Sequence, residues 1–66
     1  MEFKDIFAKW RKENSLTQIE AADLIGISRS SYNRFEKYGL AGLKVYEKIS
    51  TYYKGNKSEF GGEANV

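Results

Sequence analysis

Glu20, Asp23 and Glu36 are carboxylates on segments that read as helices, but no His or Cys accompanies them anywhere in the 66 residues. Carboxylates alone have no partner here for acid, base or nucleophilic work, so no catalytic residue is assigned and an enzyme is the least favoured reading. Recognition chemistry is better supplied. Ser28, Arg29, Ser30, Asn33 and Arg34 lie near the start of one predicted helix. In a major groove, each arginine can present a bidentate fork to O6 and N7 of guanine, about 1 to 3 kcal/mol of discrimination per good contact. Asn33 suits adenine or a phosphate, while Ser28 and Ser30 are short enough for close approach to a base or the backbone. The same residues would also suit the solvated face of an amphipathic helix, so what decides between the readings is the frame around them.

That frame is the stretch Thr17 to Glu36, TQIEAADLIGISRSSYNRFE. Thr17 and Glu20 are spaced as a capping box, in which a hydroxyl and a carboxylate satisfy each other's backbone amides. They predict a helix over Gln18 to Ile25. Gly26 follows, where a left-handed backbone costs least, and Ser28 offers a fresh cap oxygen only two residues later. The next helix starts after Ser28 and ends near Lys37 or Tyr38, with Gly39 beyond its last turn. Two helices separated by so little chain must cross steeply.

The flanks supply the core. Phe3, Ile6, Phe7 and Trp10 recur at helical spacing and predict a first helix from about Glu2 to Glu13. Asn14 and Ser15 break it, letting Leu16 turn inward. After Leu40-Ala41-Gly42, the residues Leu43, Tyr46, Ile49 and Tyr53 predict the core-facing side of a fourth helix, with Val45, Ile49 and Tyr52 as a second apolar line. Gly55 closes it, and Asn56 with Glu59 permits one further turn leading to Phe60. Residues 1–60 are expected to form the domain, and the tail 61–66, GGEANV, to be disordered.

Gln18, Ala22, Gly26, Ile27, Ser28, Tyr32 and Phe35 resemble the helix-turn-helix of the phage repressor and Cro family, the XRE-type regulators. The resemblance implies an all-α, compact, four- to five-helix lambda-repressor-like domain that binds double-stranded DNA as a transcription regulator. It also implies that Gln18 holds a phosphate and that Arg11 pairs with Glu36, tying the first helix to the third. The chain departs from the family where Ala21 replaces Leu or Val, where Tyr32 replaces an aliphatic residue, and where the glycine after Glu36 comes only at Gly39.

Composition sets limits. At this length only about 60% of the unfolded chain's surface can be buried, so neither a second lobe nor an effector domain is expected. Without Cys or His, disulfides, zinc fingers and thiol or imidazole chemistry are excluded, and no cofactor or metal is expected. No apolar run approaches the ~20 residues of a membrane span, so a soluble protein of the bacterial cytoplasm, associated with the nucleoid, is expected. The net charge of +2 is too small to identify a nucleic-acid binder, and the placement of charge carries the argument instead.

Further roles follow from position. Thr17 and Gln18, at a helix N-terminus with its exposed amides, are expected to contact phosphate, and Lys37 and Lys44 to neutralise flanking phosphates. Of the one Trp, five Tyr and four Phe, those near the C-terminus exceed what a four-helix core needs. Val45, Tyr52 and Phe60 are therefore expected to look outward and form a homodimer interface. The leading expectation is a Cro-like repressor, dimeric on a palindromic operator. The alternatives are an antitoxin that autoregulates its operon and binds a toxin through the aromatic surface, and a helical interaction module that no longer binds DNA.

Overall fold

The first three helices stop for local reasons, and those stops place the elements. A computed structural model describes residues 2–61. It contains α1 (Phe3–Glu13), α2 (Gln18–Ile25), α3 (Arg29–Tyr38), α4 (Leu43–Gly55) and a closing 3₁₀ turn (Lys57–Phe60). The expected fold class and order of elements hold, and α1 begins one residue later than expected. Glu2 is its cap, with the Glu2 amide donating to the Asp5 carboxylate at 3.2 Å. At the other end the Asn14 side chain donates to the Trp10 carbonyl at 2.8 Å, and Ser15 takes a left-handed φ of 56° to turn the chain.

The Thr17–Glu20 capping box is formed in both directions, at 3.1 and 2.8 Å. α2 ends at Gly26, φ 91°, whose amide donates to the Ala22 carbonyl at 2.8 Å. A Cβ at Gly26 would meet nothing within 4 Å. Glycine is needed there for its backbone angle and not for space. Ser28 accepts the Ser31 amide at 3.1 Å to open α3, and Gly39, φ 75°, closes it. The late glycine thus sets the end of α3 at Tyr38. By contrast α4 begins at Gly42 with no side-chain cap.

The core takes Phe7 and Trp10 from α1, Ala21, Ala22 and Ile25 from α2, Tyr32 and Phe35 from α3, and Ile49 from α4. The small Ala21 and Ala22, both essentially unexposed, let α3 pack across α2. Phe60 folds back from the 3₁₀ turn to stack on Trp10, ring centroids 5.0 Å apart and planes 21° apart, and lies 4.8 Å from Phe7.

Phe60 corrects the expected orientation of α4. Leu43 and Tyr46, expected inside, are 75% and 45% exposed. Val45, Tyr52 and Phe60, expected to look outward, are partly buried against the chain's own core, together with Tyr53. The reason is that Phe60 and Trp10 build a ring surface beside α4. Tyr52 packs on Trp10 at 5.5 Å and Tyr53 on Phe60 at 5.0 Å, whereas Tyr46 meets only the Phe3 ring, at 5.9 Å. Burial favours the side of α4 that has rings to meet. Of the tail expected to be disordered, residues 62–66 lie outside the described residues.

Candidate nucleic-acid interface

The amphipathic character of α3 divides its side chains cleanly. Tyr32 and Phe35 are buried, while Arg29, Ser30, Asn33 and Arg34 are exposed. The exposed four fall on two adjacent rows, 29 with 33 and 30 with 34, because residues four apart share a helix face. No acidic residue occupies the first turn of α3. Among the described residues neither the Arg29 nor the Arg34 guanidinium has an acidic partner; the ion pairs there are Lys4–Asp5 and Arg11–Glu36. Ser28 stands apart from this group, since its hydroxyl accepts the Ser31 amide and donates to the Ser31 hydroxyl at 2.9 Å. Its hydrogen-bonding capacity is largely spent on opening the helix.

Beneath the exposed face lies a polar knot. Arg11 grips Glu36 with two nitrogens, Nε to Oε2 at 2.8 Å and Nη2 to Oε1 at 3.0 Å, and its third nitrogen donates to the Leu16 carbonyl at 3.0 Å. The Arg11–Glu36 pair implied by the resemblance is present, with side chains only 17% and 10% exposed. Two more donors converge on the same carboxylate: the Tyr32 hydroxyl at 2.7 Å and the Gln18 amide at 3.0 Å. Gln18 in turn accepts from the Asn33 amide at 3.0 Å.

The electrostatics follow from this geometry. Burial alone would raise the pKa of Glu36, but hydrogen bonds from Arg11, Tyr32 and Gln18 outweigh it and hold the carboxyl below its ordinary value. The Tyr32 hydroxyl is pushed far up, by burial first and by the adjacent carboxylate second. Arg11 is raised by its hydrogen bond to Glu36. A buried carboxylate with four donors is fully solvated by protein, which is the condition under which such a charge is tolerated.

The remaining expected residues are spread around this centre. Thr17 forms the cap of α2, and Gln18, the first residue of α2, is joined to Asn33 in the knot. Lys37 is exposed, with its ammonium 5.4 Å from the Tyr38 ring centroid. Lys44 is exposed in the first turn of α4 and lines a groove of about 580 Å³ with Gly26 and Lys48. Val45, Tyr52 and Phe60 sit in the core region described above.

Other contacts of this region were not anticipated from the sequence. Tyr32 lies four residues before Glu36, a spacing from which its hydroxyl bond was readable. Glu59 accepts from both the Trp10 indole, at 3.3 Å, and Tyr52, at 3.0 Å. Burial and that carboxylate push the Tyr52 hydroxyl up to about 12. Lys48 donates to the Gly26 carbonyl at 3.2 Å, bracing the α2–α3 turn from α4, and no local pattern announces it.

Among the described residues no group of acidic side chains is placed to hold a metal ion, and no helix is long and apolar enough to cross a membrane. Two crossed helices with a glycine turn, a carboxylate-centred brace behind and unpaired arginines in front form a surface suited to a polyanion with readable edges. The sequence profile described as Helix-turn-helix matches residues 7–60, from the middle of α1 through the 3₁₀ turn. No curated protein and no solved structure gives a significant match.

Proposed function

Because this chain belongs to the helix-turn-helix family and is a DNA-binding transcriptional regulator, we propose that it is a Cro-like repressor that reads a palindromic operator as a homodimer. Residues 1–60 form the binding unit, acting on double-stranded DNA in the cytoplasm of a bacterial cell. α3 lies in the major groove, with Arg29 and Arg34 reading guanine and Ser30 and Asn33 alongside them. Thr17 and Gln18 bring the α2 N-terminus to a phosphate, and Lys37 and Lys44 neutralise phosphates on either side. Ser28 contributes by holding the first turn of α3. The observation that carries this reading is that the two arginines on the exposed face of α3 have no acidic partner, while the one behind it is fully engaged.

For the dimer, the exposure of Leu43 and Tyr46 supports a second copy covering that face of α4, in place of the partly buried Val45, Tyr52 and Phe60. A two-fold pair would set its recognition helices about one DNA turn apart, ~34 to 36 Å. Selection of bound sequences from a random DNA pool tests the whole reading. A palindromic consensus with half-sites one turn apart is expected, and a Leu43→Asp variant should bind the same site far more weakly while staying folded. Failure of the parent to enrich any sequence would overturn the reading. A stable complex with the product of a neighbouring gene, formed at the aromatic end, would favour the antitoxin alternative.

A further inference from the structure

We propose that Gln18 and Glu36 orient the Asn33 side chain so that it reads adenine, making Gln18 a positioning residue for base specificity and not only a phosphate contact. The inference rests on the proposed docking of α3 in the major groove.

Hydrogen-bond direction fixes the arrangement. An ionised carboxylate can only accept, and Glu36 is held in that form by Arg11, which can only donate. The Gln18 amide must therefore turn its NH₂ toward Glu36, as it does at 3.0 Å. Its carbonyl oxygen is then the atom left facing Asn33. Only a donor can meet that oxygen, so Asn33 must turn its own NH₂ inward, as it does at 3.0 Å. The polarity of the whole relay descends from the charge at its root. An asparagine with nothing behind it can flip its amide at little cost, but one at the end of this relay cannot.

The consequence is chemical. Asn33 is left with its carbonyl oxygen and its second amide hydrogen to offer, one acceptor and one donor. Adenine presents the complement in the major groove, an N6 amino donor beside the N7 acceptor. Guanine presents two acceptors, O6 and N7, and sets one of them against the Asn33 oxygen. A phosphate has acceptors alone and uses only half of what Asn33 offers. Adenine is therefore the base that this arrangement selects. The Gln18 side chain keeps its second amide hydrogen for a phosphate at the start of α2, beside the backbone amides there.

The test compares the sequences bound by the parent, Gln18→Met and Asn33→Ala in selection from a random pool, with melting curves confirming that each protein is folded. Asn33 is exposed, so its truncation leaves the core intact. The parent should show an adenine preference at one position per half-site, roughly 5- to 150-fold, the range of a bidentate pair. Asn33→Ala should erase it. Gln18→Met keeps the length of the side chain but not its polarity, and should reduce the preference at that same position several-fold while the guanine positions keep theirs. Uniform weakening by Gln18→Met with the adenine preference intact would overturn the inference and leave the proposed function standing. So would loss of preference at different positions in the two variants, or absence of an adenine position in the parent's consensus. No enrichment by the parent would instead overturn the proposed function.

Discussion

Between Leu16 and Gly39 the chain is held by directional bonds, and from Gly42 onward it is held by rings. The first region has a reciprocal capping box, a serine cap, two left-handed glycines and a carboxylate with four donors. The second starts without a side-chain cap and is secured by Tyr52, Tyr53 and Phe60 packed against Phe7 and Trp10. Under the proposed function, the contrast matches the work each has to do. A surface that must meet base edges needs its side chains within a fraction of an ångström, which hydrogen bonds with preferred angles supply. A brace behind that surface needs only to exclude water, which apolar burial does without choosing a direction.

The largest effect is expected from removing a ring. Trp10, 1% exposed, is the centre of the C-terminal cluster. Trp10→Ala should cost about 3 to 5 kcal/mol, enough in so small a domain to abolish a cooperative melt followed by circular dichroism. A sharp transition retained near the parent's midpoint would show that the ring region is not the main source of stability. Glu36→Ala should cost on the order of 3 kcal/mol, because it strands Arg11 in a largely buried position, and should also weaken DNA binding. Loss of stability without loss of affinity would erase the functional side of the contrast.

The same carboxylate predicts a pH dependence. A glutamate held below its ordinary pKa of 4.5 contributes stability that is fully present above that value and is lost as pH falls through the lower, folded-state value. Melting temperatures taken from pH 7 down to 3 should fall more steeply for the parent than for Glu36→Gln. Asp5, which its hydrogen bond to Lys4 also holds low, is common to both proteins and cancels in the comparison. Parallel curves would place the acid sensitivity outside the knot.

Smaller again, Arg29→Ala and Arg34→Ala should each lose about 1 to 3 kcal/mol of specific binding, relax preference at one base pair per half-site and leave the melting temperature unchanged. Both variants binding the selected site like the parent would mean that α3 is not the reader. The smallest effect lies outside both regions. Ser15 holds a left-handed backbone angle of 56° that glycine adopts freely, so Ser15→Gly should raise stability by about 0.5 kcal/mol. A lower melting temperature in that variant would mean that the serine hydroxyl matters more than the backbone angle.

The two regions also differ in how far they could be read from sequence. Caps and turns are local, so Thr17, Gly26 and Ser28 marked both ends of α2 and the start of α3, while Gly39 left the end of α3 open between Lys37 and Tyr38. The Arg11–Glu36 pair came through family resemblance, because nothing local connects residues 25 apart. α4 was legible as a helix but not in its rotation. Its apolar residues cover about half of its circumference, and periodicity cannot say which edge of that arc goes inward until Phe60 is known to fold back. The exposed polar residues on α3 followed from its amphipathic pattern, whereas the Gln18–Asn33 contact depends on how steeply two helices cross, and no spacing encodes that angle.

Trp10 is the sole tryptophan of the chain, and it sits where α1, α4 and the 3₁₀ turn meet. The molecule therefore carries one indole, which can be excited apart from its five tyrosines, sealed from water and stacked on a phenylalanine, with a carboxylate at its ring nitrogen. Its emission reports on the ring region, since its side chain meets the Phe7, Tyr52 and Phe60 rings and the Glu59 carboxylate. A titration with DNA that leaves the spectrum still would mean that the reading surface engages without disturbing the brace. A shift to longer wavelength would register the opening of the C-terminal seam as it happens, in a protein that needs no added label.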